Sequence, residues 1–166
     1  MSYAAAPAVL LPRSMMITAE DLMTPNPARL PLTATVGEAL TTLRELDARH
    51  LPIVTLDREL IGMVSDRDLG QLPLAEWSSD DRIQAELAQP LSTVMSTSVI
   101  TVEADTPLDE IVDLMIEHKV GALPVVRPDG KTLVGIISYI DVLRALKRRL
   151  EAGEPIGDEP GAGAQR

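Results

Sequence analysis

Two serine–aspartate pairs carry the most suggestive chemistry in this chain. Ser65 and Asp68 close the stretch Gly62-Met63-Val64-Ser65-Asp66-Arg67-Asp68, and Ser138 and Asp141 close Gly135-Ile136-Ile137-Ser138-Tyr139-Ile140-Asp141. Each reads as glycine, two apolar residues, serine, two variable residues and aspartate. A serine hydroxyl can donate to a phosphate oxygen, and a carboxylate can accept from the two adjacent hydroxyls of a ribose. Hydrogen bonds to a charged acceptor contribute about 1.5–3 kcal/mol each. Arg67 adds a forked phosphate donor that the second stretch lacks, since Tyr139 and Ile140 stand there. A helix beginning after the serine turns free amides and its positive dipole end toward an anion. The preceding glycine lets a flat ligand approach the strand backbone. The same spacing has a plainer use. A serine N-cap with an acid three residues on forms a capping box worth about 1 kcal/mol, and the glycine then only relieves crowding. Both readings stay open at this point.

The elements around these pairs are duplicated. A shift of 72 residues aligns Met23 with Met95, Glu38 with Glu110, Leu51 with Leu123, Pro52 with Pro124 and Val54 with Val126. One extra residue near Thr132 makes the shift 73, which aligns Leu60 with Leu133, Gly62 with Gly135, Ser65 with Ser138 and Asp68 with Asp141. Insertions in a turn cost little. Each copy opens with a short extended piece, 28–32 or 99–102. A helix follows, with its apolar stripe at Val36, Ala39, Leu40 and Leu43 or at Leu108, Ile111, Val112 and Met115, the spacing of one buried helical face. Thr35 with Glu38 predicts a capping box, and Thr106 before Pro107 predicts a cap with proline in the first turn. Two apolar runs then flank a polar turn, Asp57-Arg58-Glu59 or Pro128-Asp129-Gly130, as in a hairpin. The last helix spans about 66–71 in copy one and 139–150 in copy two. The fold class is therefore α+β (mixed α/β), two β-α-β-β-α repeats packed as one pseudo-symmetric module. The first two strands of each copy should run parallel and the hairpin antiparallel. The expected divisions are a flexible 1–16, copy one at 17–72, a linker at 73–90, copy two at 91–150 and a disordered tail at 151–166. Ser79 could cap a short linker helix over 80–88. Met15 or Met16 competes with Met1 as the start.

The totals narrow the function. The chain has 166 residues, 45% of them apolar, and no cysteine, so disulfides and thiolate metal sites are excluded. Its net charge of −10 and 2% aromatics argue against a nucleic-acid partner. No apolar run suits a membrane span, and a soluble cytoplasmic protein is expected. No nucleophile elbow or paired-histidine metal motif occurs. His50 and His118 are not equivalent under the repeat, which sets Ala122 against His50. No catalytic residue, no metal ligand and no required cofactor are expected, and the chain reads as a non-enzyme.

With these motifs in order twice, the chain resembles a tandem pair of CBS domains, a Bateman module. "DLMTPNP" at 21–27 and "TVMSTSV" at 93–99 match the family's leading segment, "HLPIV" at 50–54 and "ALPVV" at 122–126 its first hairpin strand, and "GMVSDRDL" and "GIISYIDV" its closing motif. The resemblance covers about 17–150. It implies a regulatory, energy-sensing module that binds AMP, ADP, ATP or S-adenosylmethionine in clefts between the repeats. By the same resemblance, Asp68 and Asp141 hold ribose and Ser65 and Ser138 contact phosphate. Pro27, Ala28, His50, Leu51 and Pro52, with Val99, Ile100, Ala122, Leu123 and Pro124, line the adenine slots. It also implies a homodimer and a separate regulated protein. The competing reading is a structural dimerisation module with empty or vestigial clefts.

Overall fold

The computed structural model describes residues 17–70 and 80–153. Its elements run α1 (Ala19–Leu22), β1 (Thr24–Pro25), β2 (Leu30–Pro31), α2 (Val36–Glu45), β3 (His50–Val54), β4 (Leu60–Ser65), α3 (Asp66–Gly70), α4 (Asp80–Leu87), β5 (Val102–Glu103), α5 (Leu108–His118), β6 (Ala122–Val126), β7 (Leu133–Ser138) and α6 (Tyr139–Glu151). A 3-10 turn at Leu91–Thr93 precedes β5. The expected α+β duplication is present. β2 lies parallel to β3 and β5 parallel to β6, while β3–β4 and β6–β7 are antiparallel hairpins. The strands form one sheet in the order β2-β3-β4 and another in the order β1-β7-β6-β5. The expectations for residues 1–16, for Ser79 and for the segment after Gly153 fall outside the described residues.

Helix α2 starts as its sequence predicts. The Glu38 carboxylate accepts from the Thr35 amide at 2.7 Å, and Thr35 Oγ1 accepts from the Glu38 amide at 3.3 Å. The start of α5 differs. Pro107, in extended conformation, is the N-cap, and Thr106 Oγ1 accepts from the Glu103 amide at 3.0 Å instead. That hydroxyl closes the turn after β5, so it is not there to cap the helix. Helix α6 runs to Glu151, one residue into the segment expected as tail.

The two copies exchange their leading segments. Thr24 and Pro25, in copy one, pair with Ile136 and Gly135 of β7, in copy two. The equivalent Ser96 of copy two exchanges both backbone bonds with Met63 of β4, each at 2.9 Å. The Ala19 amide donates to Thr106 O at 2.8 Å, and the Leu91 amide donates to Ala34 O at 3.0 Å. Those two bonds join positions 72 residues apart, so a pseudo-twofold axis relates them. The hairpins meet on the same axis, with the Leu60 amide donating to Lys131 O at 2.9 Å and the Leu133 amide to Arg58 O at 3.0 Å.

The cores follow the exchange. One holds Val36, Ala39, Leu43, Leu51, Ile53, Val64 and Leu69 from copy one and is closed by Leu91 of copy two. The other holds Ile111, Met115, Leu123, Val125, Ile137 and Ala145 from copy two and is closed by Ala19 and Leu22 of copy one. Removing apolar surface from water stabilises at roughly 25 cal/mol per Å², so each core draws part of its stability from the other copy's chain.

The exchange also explains the glycines of the repeated motif. A Cβ built on Gly62 would lie 2.8 Å from Met95 Sδ and 2.9 Å from the carbonyl oxygen of Ser96. A Cβ on Gly135 would strike Met23 in the same way. The close approach expected at these glycines comes from the crossing chain and not from a ligand.

Candidate functional site

The crossing creates two clefts, related by the pseudo-twofold axis. Each combines the serine–aspartate pair of one copy with the leading segment of the other. The first, of about 590 Å³, takes Ser65, Arg67 and Asp68 from copy one and Val99, Ile100 and Ala122 from copy two. The second, of about 560 Å³, takes Ser138 and Asp141 from copy two and Pro27, Ala28 and Leu51 from copy one. His50 lines both. Of the residues expected at the slots, Pro52, Leu123 and Pro124 line neither cleft. All three are buried, in β3 or β6, each of which lies between two other strands of its sheet.

Both serine–aspartate pairs form capping boxes. Asp68 Oδ2 accepts from the Ser65 amide at 2.8 Å and from Ser65 Oγ at 2.7 Å, while Ser65 Oγ accepts from the Asp68 amide at 3.2 Å. Ser138 and Asp141 repeat this, with the Ser138 amide donating to Asp141 Oδ2 at 2.9 Å. The plainer reading of the motif is thus realised in full. It leaves one carboxylate oxygen over in each box, and there the copies differ. Asp141 Oδ1 meets Arg144 Nη1 at 3.3 Å. Asp68 Oδ1 has no partner among the described residues.

The helix starts supply less to an anion than the spacing suggests. The Asp66 amide donates to Arg49 O at 2.9 Å and the Tyr139 amide to Gly121 O at 3.0 Å. The amides of Asp68 and Asp141 are spent on the caps. Cation side chains must therefore carry any phosphate. The first cleft offers Arg67, Lys119 and Arg49.

Sequence reasoning missed Arg49, Lys119 and Tyr139, and in the second cleft Asp47 and Arg144. The repeat held a usable signal, since 47 and 119 are equivalent positions at the ends of equivalent helices. Both adopt left-handed backbone, with φ of 48° at Asp47 and 55° at Lys119. Arg49, His50 and Tyr139 form a wall common to the two clefts, and Arg49 Nη1 lies 3.3 Å from the Tyr139 hydroxyl. Burial lowers the His50 pKa below its ordinary value, and Arg49 adds to this, while Asp66 and Asp68 oppose it. Gly121 makes room for that ring: a Cβ there would lie 3.1 Å from His50 Cε1.

This fold, with its exchanged leading segments and paired clefts, is that of a tandem-repeat α+β module. The family profile for the CBS domain matches residues 19–71 and 91–148, and the chain belongs to that family, with two repeats. A CBS domain-containing protein of Dictyostelium discoideum is 30% identical over 85% of this chain and 99% of its own length. The crystal structure of a putative acetoin utilization protein (AcuB) from Vibrio cholerae is 40% identical, with a TM-score of 0.69 over 85% of this chain and all of that one. CBSX2, solved in complex with AMP, is 33% identical, with a TM-score of 0.66 over 79% of this chain and 96% of that one. Among the described residues no helix is long and apolar enough to cross a membrane.

Proposed function

We propose that this protein is a non-enzymatic regulatory module that binds an adenine nucleotide, first in the cleft built on Asp68, and signals its occupancy to a separate protein. One observation carries the reading: Asp68 Oδ1 is without a partner among the described residues, on the edge of a cleft that also holds Arg67 and Lys119. In this arrangement Asp68 holds the ribose diol through Oδ1 while Oδ2 stays in the cap. Arg67 and Lys119 take the phosphate, since the Ser65 hydroxyl proton is donated to Asp68 Oδ2. Val99, Ile100 and Ala122 supply the apolar slot for the base. The AMP bound by CBSX2 supports the ligand class. Because the cleft spans both copies, a ligand bridging them favours one relative orientation, by no more than its differential affinity for the two. Exposed Leu143 and Leu150 on α6 support a homodimer, and cytoplasmic location belongs to the same reading.

The capping boxes favour a second reading, in which the serine–aspartate pairs only start helices and the module serves assembly. The Asp68→Asn variant separates the two. An amide oxygen still accepts from the Ser65 amide, so stability should fall by less than about 1 kcal/mol. Loss of the charged acceptor should weaken AMP binding about tenfold, roughly 1.4 kcal/mol. Urea unfolding and calorimetric titration read the two quantities. Stability loss with unchanged AMP affinity, or no AMP binding by the wild type, returns the motif to capping alone.

A further inference from the structure

The two clefts are alike in volume and topology, yet the ends of their first helices carry opposite charges. Lys119, just after α5, lines the first cleft. Asp47, its equivalent 72 residues earlier, lines the second. Both sit in left-handed backbone, and both are exposed, so each charge stands at the mouth of its cleft. A second exchange points the same way: Arg67 of the first cleft is replaced by Ile140 in the second. The remaining cation private to the second cleft, Arg144, is already paired with Asp141.

Resting on the proposed nucleotide reading, we propose that the clefts select ligands by charge, with Lys119 and Asp47 as the discriminating residues. The first cleft takes an adenosine ligand bearing phosphate. Each cleft carries two aspartates, Asp66 and Asp68 or Asp47 and Asp141, and both share Arg49, so the cations decide. The second has Asp47 for Lys119 and Ile140 for Arg67, and its Arg144 is paired with Asp141. It therefore takes an uncharged adenosine nucleoside in preference to one bearing phosphate. A charge at the mouth of a cleft acts across high-dielectric surroundings, so each unit is worth a few-fold in affinity and is screened by salt.

The equivalent positions make a reciprocal test available. Lysine and aspartate already occupy the same left-handed conformation in this fold, so Asp47→Lys and Lys119→Asp are both compatible with the backbone. Titration calorimetry of the full chain with AMP and with adenosine reads both clefts. The wild type should bind AMP at two affinities and adenosine with little distinction between sites. Asp47→Lys should raise the weaker AMP affinity about fivefold, and Lys119→Asp should lower the stronger by about the same factor. Adenosine affinities should stay within about twofold, and the AMP effects should shrink in 0.5 M salt. Should either reversal unfold the chain, Asp47→Asn, a residue suited to left-handed backbone, should still raise the weaker AMP affinity about twofold. Two equal AMP sites that ignore all three substitutions overturn the charge selection and leave the nucleotide reading standing. Equal shifts for AMP and adenosine also overturn it, since they report shape and not charge. Absence of any AMP or adenosine binding to the wild type overturns both.

Discussion

At the scale of single residues, His50 is the group whose charge the fold resists. It stands in the wall between the clefts, with no histidine at the equivalent position. Burial is the largest influence and favours the neutral ring, Arg49 reinforces it, and the Asp66 and Asp68 carboxylates only partly offset it. The unfolded chain therefore binds a proton on His50 more readily than the folded one. Linkage then fixes the sign: stability rises with pH through the window between the lowered folded pKa and the ordinary value of 6.5. Unfolding midpoints should be flat above that value and fall as the solution is acidified below it. His50→Ala, which installs the residue found at the equivalent Ala122, should flatten that part of the profile. An unchanged slope would mean that the ring is as solvated in the fold as in the open chain. The resemblance puts His50 at an adenine slot, but its burial was not legible in the sequence, because that depends on the approach of Gly121 from the other copy. The serine–aspartate pairs were legible, because a capping box is a local device. Which carboxylate oxygen stays unpartnered was not, because that depends on Arg144 one turn further along α6.

At the scale of elements, the helices, the hairpins and the parallel crossovers follow from apolar periodicity, and the repeat doubles the signal. The exchange of leading segments does not follow. Periodicity reports which faces are apolar but not which chain covers them, and β1, β2 and β5 have two residues each, too few to carry a pattern. The one trace was glycine inside a largely apolar strand, and its use depends on a crossing segment 33 residues away from Gly62 at Met95. Gly62→Ala therefore tests the crossing directly. The new methyl meets a backbone carbonyl at 2.9 Å, which cannot swing aside as a side-chain end can. The expected loss is about 1–3 kcal/mol, read as a lower denaturant midpoint with unchanged slope. A neutral result would show that the crossing segment can retreat at little cost.

At the scale of the whole molecule, neither half owns a complete core. A fragment 1–75 lacks the Leu91 that closes its own apolar face, and a fragment 76–166 lacks Ala19 and Leu22. Each alone should show a weak, non-cooperative thermal transition by circular dichroism. An equimolar mixture should recover one sharp transition, whose midpoint rises with concentration as for any association that stabilises the native state. A sharp transition from either fragment alone would mean that the copies fold independently. The intact chain should unfold in a single step for the same reason.

The arms are equivalent in position and unequal in size. Ala19 and Leu91 are each 0% exposed, one a methyl and the other a branched butyl group. Were each arm to fold back onto its own copy, Leu91 would be forced into a slot cut for alanine, and Ala19 would leave a void where leucine belongs. Overfilling and cavities both destabilise. The mismatch thus works as an address, telling each arm which of two look-alike grooves is its destination.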